Sequence, residues 1–265
     1  MLPINSTENL YKLEDLICGT PIENDTYIDA DYTGLIERLR SDLCELHPQL
    51  KISAKENIIL PASAIFPFLA RKFLELALTS MLARVDPLRV IAARKNQLDA
   101  SYEPGRQNKS SISWAGDIMP KGTSPGANPW ISSTLEKGLE RSILGWHIGE
   151  VAISPGLRKL ADEDNTDSVW LRELSQKDKP LDWIKGRLSS IYSMLSKGVH
   201  SEYLVDDKTS FDGQSIKQHM QDCYMLIGIL AAATHVSPLF SRSIPIDAAL
   251  LMLKKLENEI TQERQ

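Results

Sequence analysis

The chain has 265 residues, 42% of them hydrophobic and 25% charged, the composition of a globular domain with a real core. Its net charge of −5 does not mark the whole chain as a polyanion binder. The longest apolar run, "MLIGILAAA" at 225–233, falls well short of the roughly 20 residues that cross a bilayer. The N-terminus "MLPINSTENLYKLEDL" lacks the basic and apolar regions of a secretory signal, and its acidic residues argue against a transit peptide, so a cytoplasmic location is expected. Cys18, Cys44 and Cys223 are odd in number and have no CxxC spacing, which suits free thiols in a reducing compartment and gives no structural zinc set.

Charge is segregated along the chain. Residues 1–60 carry five Lys or Arg against eleven Asp or Glu, a balance of −6, and residues 61–121 carry nine against five, a balance of +4. Such asymmetry marks either a partner-facing surface or differing solvated helix faces.

In chain order, Ile28, Tyr32, Leu35, Ile36, Leu39, Leu43 and Leu46 recur at three- and four-residue spacing and predict an amphipathic helix over 27–46, ended by His47-Pro48. The run from Pro61 predicts a central buried helix, with Ser63 before its start, Pro67 near its first turn, and its end near Val85. Asp86 is placed to cap a following helix, "PLRVIAARKNQL", with Pro87 at its first position. Residues 100–129 are rich in Gly, Pro, Ser and Asn and predict a long loop, with a short strand or hairpin near 112–114. Further helices are expected over 130–148, 155–161, 168–174, 180–199, 213–233 and 245–259. The expectation is a mainly α-helical bundle of long amphipathic helices. It is divided into an N-terminal part over 1–128, ending in the irregular loop, and a C-terminal part over 129–265, with one continuous domain as the alternative.

Familiar chemical motifs are missing: there is no GxxxxGK[ST], no GxSxG and no HExxH. His200-Ser201-Glu202 has the H-x-E spacing of a zinc deaminase without the downstream P-C-x-x-C. His219 and Cys223 stand one helical turn apart, two potential ligands that a packed helix face explains as well. No metal or cofactor is therefore expected. His200, in "YSMLSKGVHSEYLVDD", is the one residue placed for acid–base work near neutral pH, with Lys185, Arg187 and Lys197 the cations nearest in sequence. The alternative is a helix-end residue after Gly198, favoured there by the helix dipole.

The late "LSKGVHSEYL" on a run of long helices resembles the HEPN superfamily, helical domains of prokaryotic toxin–antitoxin, abortive-infection and antiphage systems. Many of its members are metal-independent ribonucleases carrying an Arg, four to six intervening residues and a His. Val199-His200 matches the end of that pattern and Tyr203 supplies the aromatic that often follows. Leu195 and Ser196 stand where the Arg and its polar neighbour would be, and Arg187 lies thirteen residues before His200. The resemblance covers about residues 180–260 and implies a HEPN-like fold more than an activity.

Three functions follow as expectations. The first is a non-catalytic HEPN-like subunit of an antiphage-defence or toxin-type complex, acting through contacts with other protein subunits or its own copies. The second is a metal-independent ribonuclease using His200 with Lys197 or Arg187. The third is a nucleic-acid-binding accessory protein. Its phosphate contacts would come from Arg89, Arg94 and Lys95 in the basic stretch that begins at Arg84, and from Arg106, Lys109 and Lys121 in the loop.

Overall fold

The computed structural model describes residues 12–20, 30–53, 62–98, 146–162, 168–200 and 213–262. They contain helices and connecting turns and no strand. The elements are α1 (Leu13–Cys18), α2 (Ala30–Ser53), α3 (Ala62–Val85), α4 (Pro87–Gln97), a π-helical stretch (Trp146–Ile153), α5 (Ser154–Asp162), α6 (Val169–Ser175), α7 (Pro180–His200), α8 (Gly213–Val236) and α9 (Ile246–Gln262). The mainly helical bundle expected from the periodicity is the observed fold. The long loop expected over 100–129, its short strand, and most of the helix expected over 130–148 lie outside the described residues.

Two helices form the centre. On α3, Phe66, Ala70, Phe73, Leu74, Ala77, Leu78 and Met81 are essentially inaccessible, and on α8 every residue from Leu226 to Thr234, apart from the side-chain-less Gly228, is fully buried. A helix apolar on most of its circumference belongs inside a bundle. The two run in the same direction: Phe73 meets Tyr224 with ring centroids 5.0 Å apart, and one face further along Arg84 meets Thr234 and His235. Around this pair, α2 and α7 pack on α3, while α5 and α9 pack on α8. Residues from both sides of position 128 share one core, from Leu16 to Ile260.

Several local signals act as expected. Asp86 accepts a hydrogen bond from the Arg89 N–H at 3.4 Å, capping α4 ahead of Pro87. Ser168 caps α6 by accepting from Leu171 N–H at 3.2 Å, and its hydroxyl donates to buried Glu257, whose other oxygen accepts from Trp170 N–H at 3.1 Å. An acidic side chain from α9 thus sits at the positive end of α6.

One boundary differs from expectation. α2 does not stop at His47-Pro48 but runs to Ser53. Proline in a helix interior forfeits one hydrogen bond and costs about 3 kcal/mol. Here tertiary contacts hold the last turn: Leu50 is fully buried, Ser53 Oγ donates to Leu50 O at 2.7 Å, and Lys51 meets Glu259 of α9 at 2.9 Å. α7 ends at His200, one residue past the expected 199, with Gly198 inside its last turn. One glycine costs a helix only about 1 kcal/mol, so it does not stop one by itself.

Two helical glycines contrast. A Cβ on Gly156 of α5 would collide with the backbone carbonyl of Ala233 in α8, so these helices touch backbone to backbone. A Cβ on Gly186 of α7 would meet nothing within 4 Å. Gly156→Ala is expected to destabilise the chain by roughly 1–3 kcal/mol, as overpacking does, and Gly186→Ala to stabilise it by about 0.5–1 kcal/mol. Urea denaturation of the two variants checks both signs.

Candidate functional site

The structure separates the residues expected to carry chemistry. α7 is continuous from Pro180 to His200, so Arg187 stands about 20 Å from His200 along the axis, at 1.5 Å per residue. No arginine side chain bridges that span. Arg187 instead meets Asp222 of α8 at 2.9 Å. Lys197 and His200 occupy the last turn of α7, and their side chains lie outside what is described. Another cation does reach α7: Arg71 of α3 lies over the Tyr192 ring, 4.8 Å from its centroid, and donates to Glu75 at 3.0 Å. Tyr192 also donates to Glu75, at 2.8 Å. Burial first, and then this bond to a carboxylate, push the Tyr192 phenol up to about 12. Tyr192 is two turns and about 12 Å before His200, so this trio belongs to the α3–α7 interface.

The basic set expected to face phosphates is dispersed too. Arg89 pairs with Asp86 at 3.0 Å, Lys95 pairs with Asp31 of α2, and Nη1 of Arg94 rests against Gly34 of α2. Arg106, Lys109 and Lys121 lie outside the described residues. Arg84, which opens that basic stretch, is a core residue with 1% of its surface exposed.

Arg84 is the centre of a buried polar cluster. Its Nε donates to Ser241 O at 3.0 Å, Nη1 to Thr234 Oγ1 at 2.7 Å and to Ile17 O at 3.3 Å, and Nη2 lies 3.2 Å from His235 Nδ1. In return the Arg84 carbonyl accepts from Ser241 N–H at 3.0 Å and from its hydroxyl at 2.7 Å. Burial pushes the guanidinium down to about 10, so it stays charged at neutral pH.

The cluster fixes a tautomer. His235 Nε2 lies 2.7 Å from Leu16 O, an acceptor, so Nε2 carries the proton. Nδ1 is then a lone pair that accepts from Arg84 and from Ile244 N–H at 3.2 Å. Burial, and then the neighbouring Arg84 charge, drive His235 down to about 3. It is a neutral structural histidine.

The cluster also holds α1, a six-residue helix too short to persist alone. Its orphan C-terminal carbonyls and those just beyond are taken by side chains from four elements. Leu16 O meets His235, Ile17 O meets Arg84, Gly19 O meets Arg40 of α2 at 2.6 Å, and Thr20 O meets Arg242 of the turn after α8. Gly19 caps α1 with φ of 77°, and a side chain there would strike the Arg242 backbone. At the other end Asp15 accepts from Lys12 N–H at 2.8 Å and pairs with Arg40.

One face of α1 lines a cavity of about 240 Å³ shared with α2 and α9. At its base Glu14, with 8% of its side chain exposed, lies 3.8 Å from His47 Nδ1. Burial raises the Glu14 carboxyl, but contacts with His47, the backbone and the Cys44 thiol outweigh it and leave the group below the usual range. The His47 ring packs on Tyr224 at 5.3 Å, and its buried Nε2 has no hydrogen-bond partner among the described residues. Nothing in the sequence singled out Glu14 and His47, which are 33 positions apart and meet only because α1 docks on α2.

Among the described residues no set of three or more His, Cys, Asp or Glu is placed to hold a metal ion, and no helix is long and apolar enough to cross a membrane. Cys223, once paired in sequence with His219, is fully buried, and burial pushes its thiol well above the ordinary range. No family model, no curated protein and no solved structure matches the chain.

His235 sets a pH dependence. Its folded value lies below its unfolded value near 6.5, so the unfolded chain takes up the proton first. The stability it provides is whole above pH 6.5 and is lost as pH falls toward 3. Between pH 7 and about 5, above most carboxylate titrations, the urea midpoint should fall, and His235→Gln should flatten that slope. An equally steep slope in the variant would contradict the assignment.

Proposed function

We propose that this chain is a non-catalytic, HEPN-like helical subunit that works through contacts with other protein subunits, in an assembly of the defence or toxin type that the resemblance of its C-terminal part implies. One observation carries the reading: of the cations expected to serve a nuclease or phosphate-binding site, those whose side chains are described are, apart from Arg94, already paired or buried within the fold. Arg187 is held by Asp222, Arg89 by Asp86 and Lys95 by Asp31, while Arg84 is walled into the core. Surface ion pairs are individually weak, but each places a carboxylate where a phosphate would have to approach.

The surface of α4 supports a protein partner. Leu88 is 77% exposed and Leu98 72% exposed, at either end of a helix that packs mainly on α2 and α3. Isolated exposed leucines are ordinary, so the weight rests on the engaged cations, and α4 is where a test begins.

In cells that depend on the protein, His200→Ala should leave function intact. Leu88→Glu with Leu98→Glu should reduce the protein recovered with the tagged chain at least fivefold without shifting its melting temperature. Cleavage of labelled RNA that persists in chelator and disappears in His200→Ala would establish the ribonuclease reading instead. RNA or DNA binding that weakens steeply with salt and is lost on neutralising Arg89, Arg94 and Lys95 would establish the nucleic-acid reading.

A further inference from the structure

The cavity between α1, α2 and α9 brings both signs of charge to an apolar pocket. Its base holds the Glu14 carboxylate, nine-tenths buried, beside His47. Its walls are the side chains of Leu13, Leu16, Met252 and Leu256, three of which belong to the core. Lys12, exposed at the start of α1, stands at the mouth with Lys255 of α9. The second acid on the rim, Glu259, is already met by Lys51 at 2.9 Å. Glu14 is contacted by His47 and the Cys44 thiol, and among the described residues no Lys or Arg pairs with it, so the pocket offers a buried carboxylate without a lysine or arginine partner at its base and Lys12 at its mouth.

A ligand matching this arrangement places a positive donor at Glu14, an aliphatic body between the leucines and Met252, and a negative group at Lys12. Pockets for drug-sized ligands run to roughly 300–1,000 Å³, and this one is about 240 Å³, which restricts the ligand to metabolite size. We propose that the cavity binds a small aliphatic zwitterion of the amino-acid class, with its ammonium on Glu14 and its carboxylate at Lys12. The site is independent of His200 and of any partner on α4. Because α1 forms one wall and is itself held by Arg84 and His235, the ligand stabilises the docked position of α1.

The test uses three probes on the full chain by isothermal titration calorimetry. They are L-leucine, 3-methylbutylamine, which lacks the carboxylate, and 4-methylpentanoate, which lacks the ammonium. L-Leucine is expected to bind saturably and each truncated probe at least tenfold more weakly. Glu14→Gln should weaken L-leucine at least tenfold while leaving 4-methylpentanoate unchanged, and Lys12→Met should weaken L-leucine while leaving 3-methylbutylamine unchanged. Since Glu14 is buried, Leu13→Trp, which fills the cavity from its rim, supplies a second variant that should abolish binding with the far-ultraviolet spectrum intact. No saturation by L-leucine at about 10 mM, ten times the concentration of a millimolar dissociation constant, overturns the proposal. So does L-leucine binding that survives Leu13→Trp, or equal affinity for all three probes.

Discussion

A charged guanidinium with 1% of its surface exposed has to be compensated, and among the described residues no carboxylate touches Arg84. What compensates it is the convergence of three helix C-termini. α1 ends at Cys18, α3 at Val85 and α8 at Val236, and their last turns meet around this one side chain. Each brings unpaired carbonyls and the negative end of a helix dipole. Ile17 O and Ser241 O accept from Arg84 directly, and Thr234 Oγ1 does so from within the last turn of α8. The arrangement solves two problems at once, because the carbonyls need donors and the buried cation needs acceptors.

The same cluster decides the state of His235. A histidine in the last turn of a helix ordinarily gains from being protonated, by up to about 2 kcal/mol in favourable geometry. Burial and the adjacent Arg84 outweigh that and hold it neutral, near 3. Neutrality is what the geometry requires, since Nδ1 must accept from Arg84 and from Ile244 N–H. The cation and the imidazole therefore share one task, which is to hold α1 in the groove between α2, α3, α8 and α9. Everything that depends on α1, including the Glu14–His47 pair and the cavity above it, follows from that anchoring.

Much of the helical fold could be read from periodicity, because long helices repeat the signal. α3 as a central buried helix, Asp86 as the cap of α4, and the spans of α5 through α9 all came from spacing and capping residues. Signals that tertiary contacts override were misleading. Pro48 looked like a helix end, and Leu50 with Lys51–Glu259 holds α2 past it. Arg84 shows the limit most clearly. In the string "RVDPLRVIAARK" it is one of four cations, and only the fold separates it, walled in by three helix ends, from Arg89 and Lys95 on the surface. α1 was missed because six residues are too few to establish a period, and Glu14 with His47 because their contact crosses two elements.

The central claim is that Arg84 serves architecture, and that α1 stays docked because of it. Native-state hydrogen exchange on the amides of Leu16 to Gly19 tests this most directly, comparing the wild type with Arg84→Met. The account predicts that these amides are protected in the wild type, and that in the variant they exchange at least a hundredfold faster while those of α8 between Leu226 and Leu230 keep most of their protection. Unchanged exchange across α1 in the variant would contradict it.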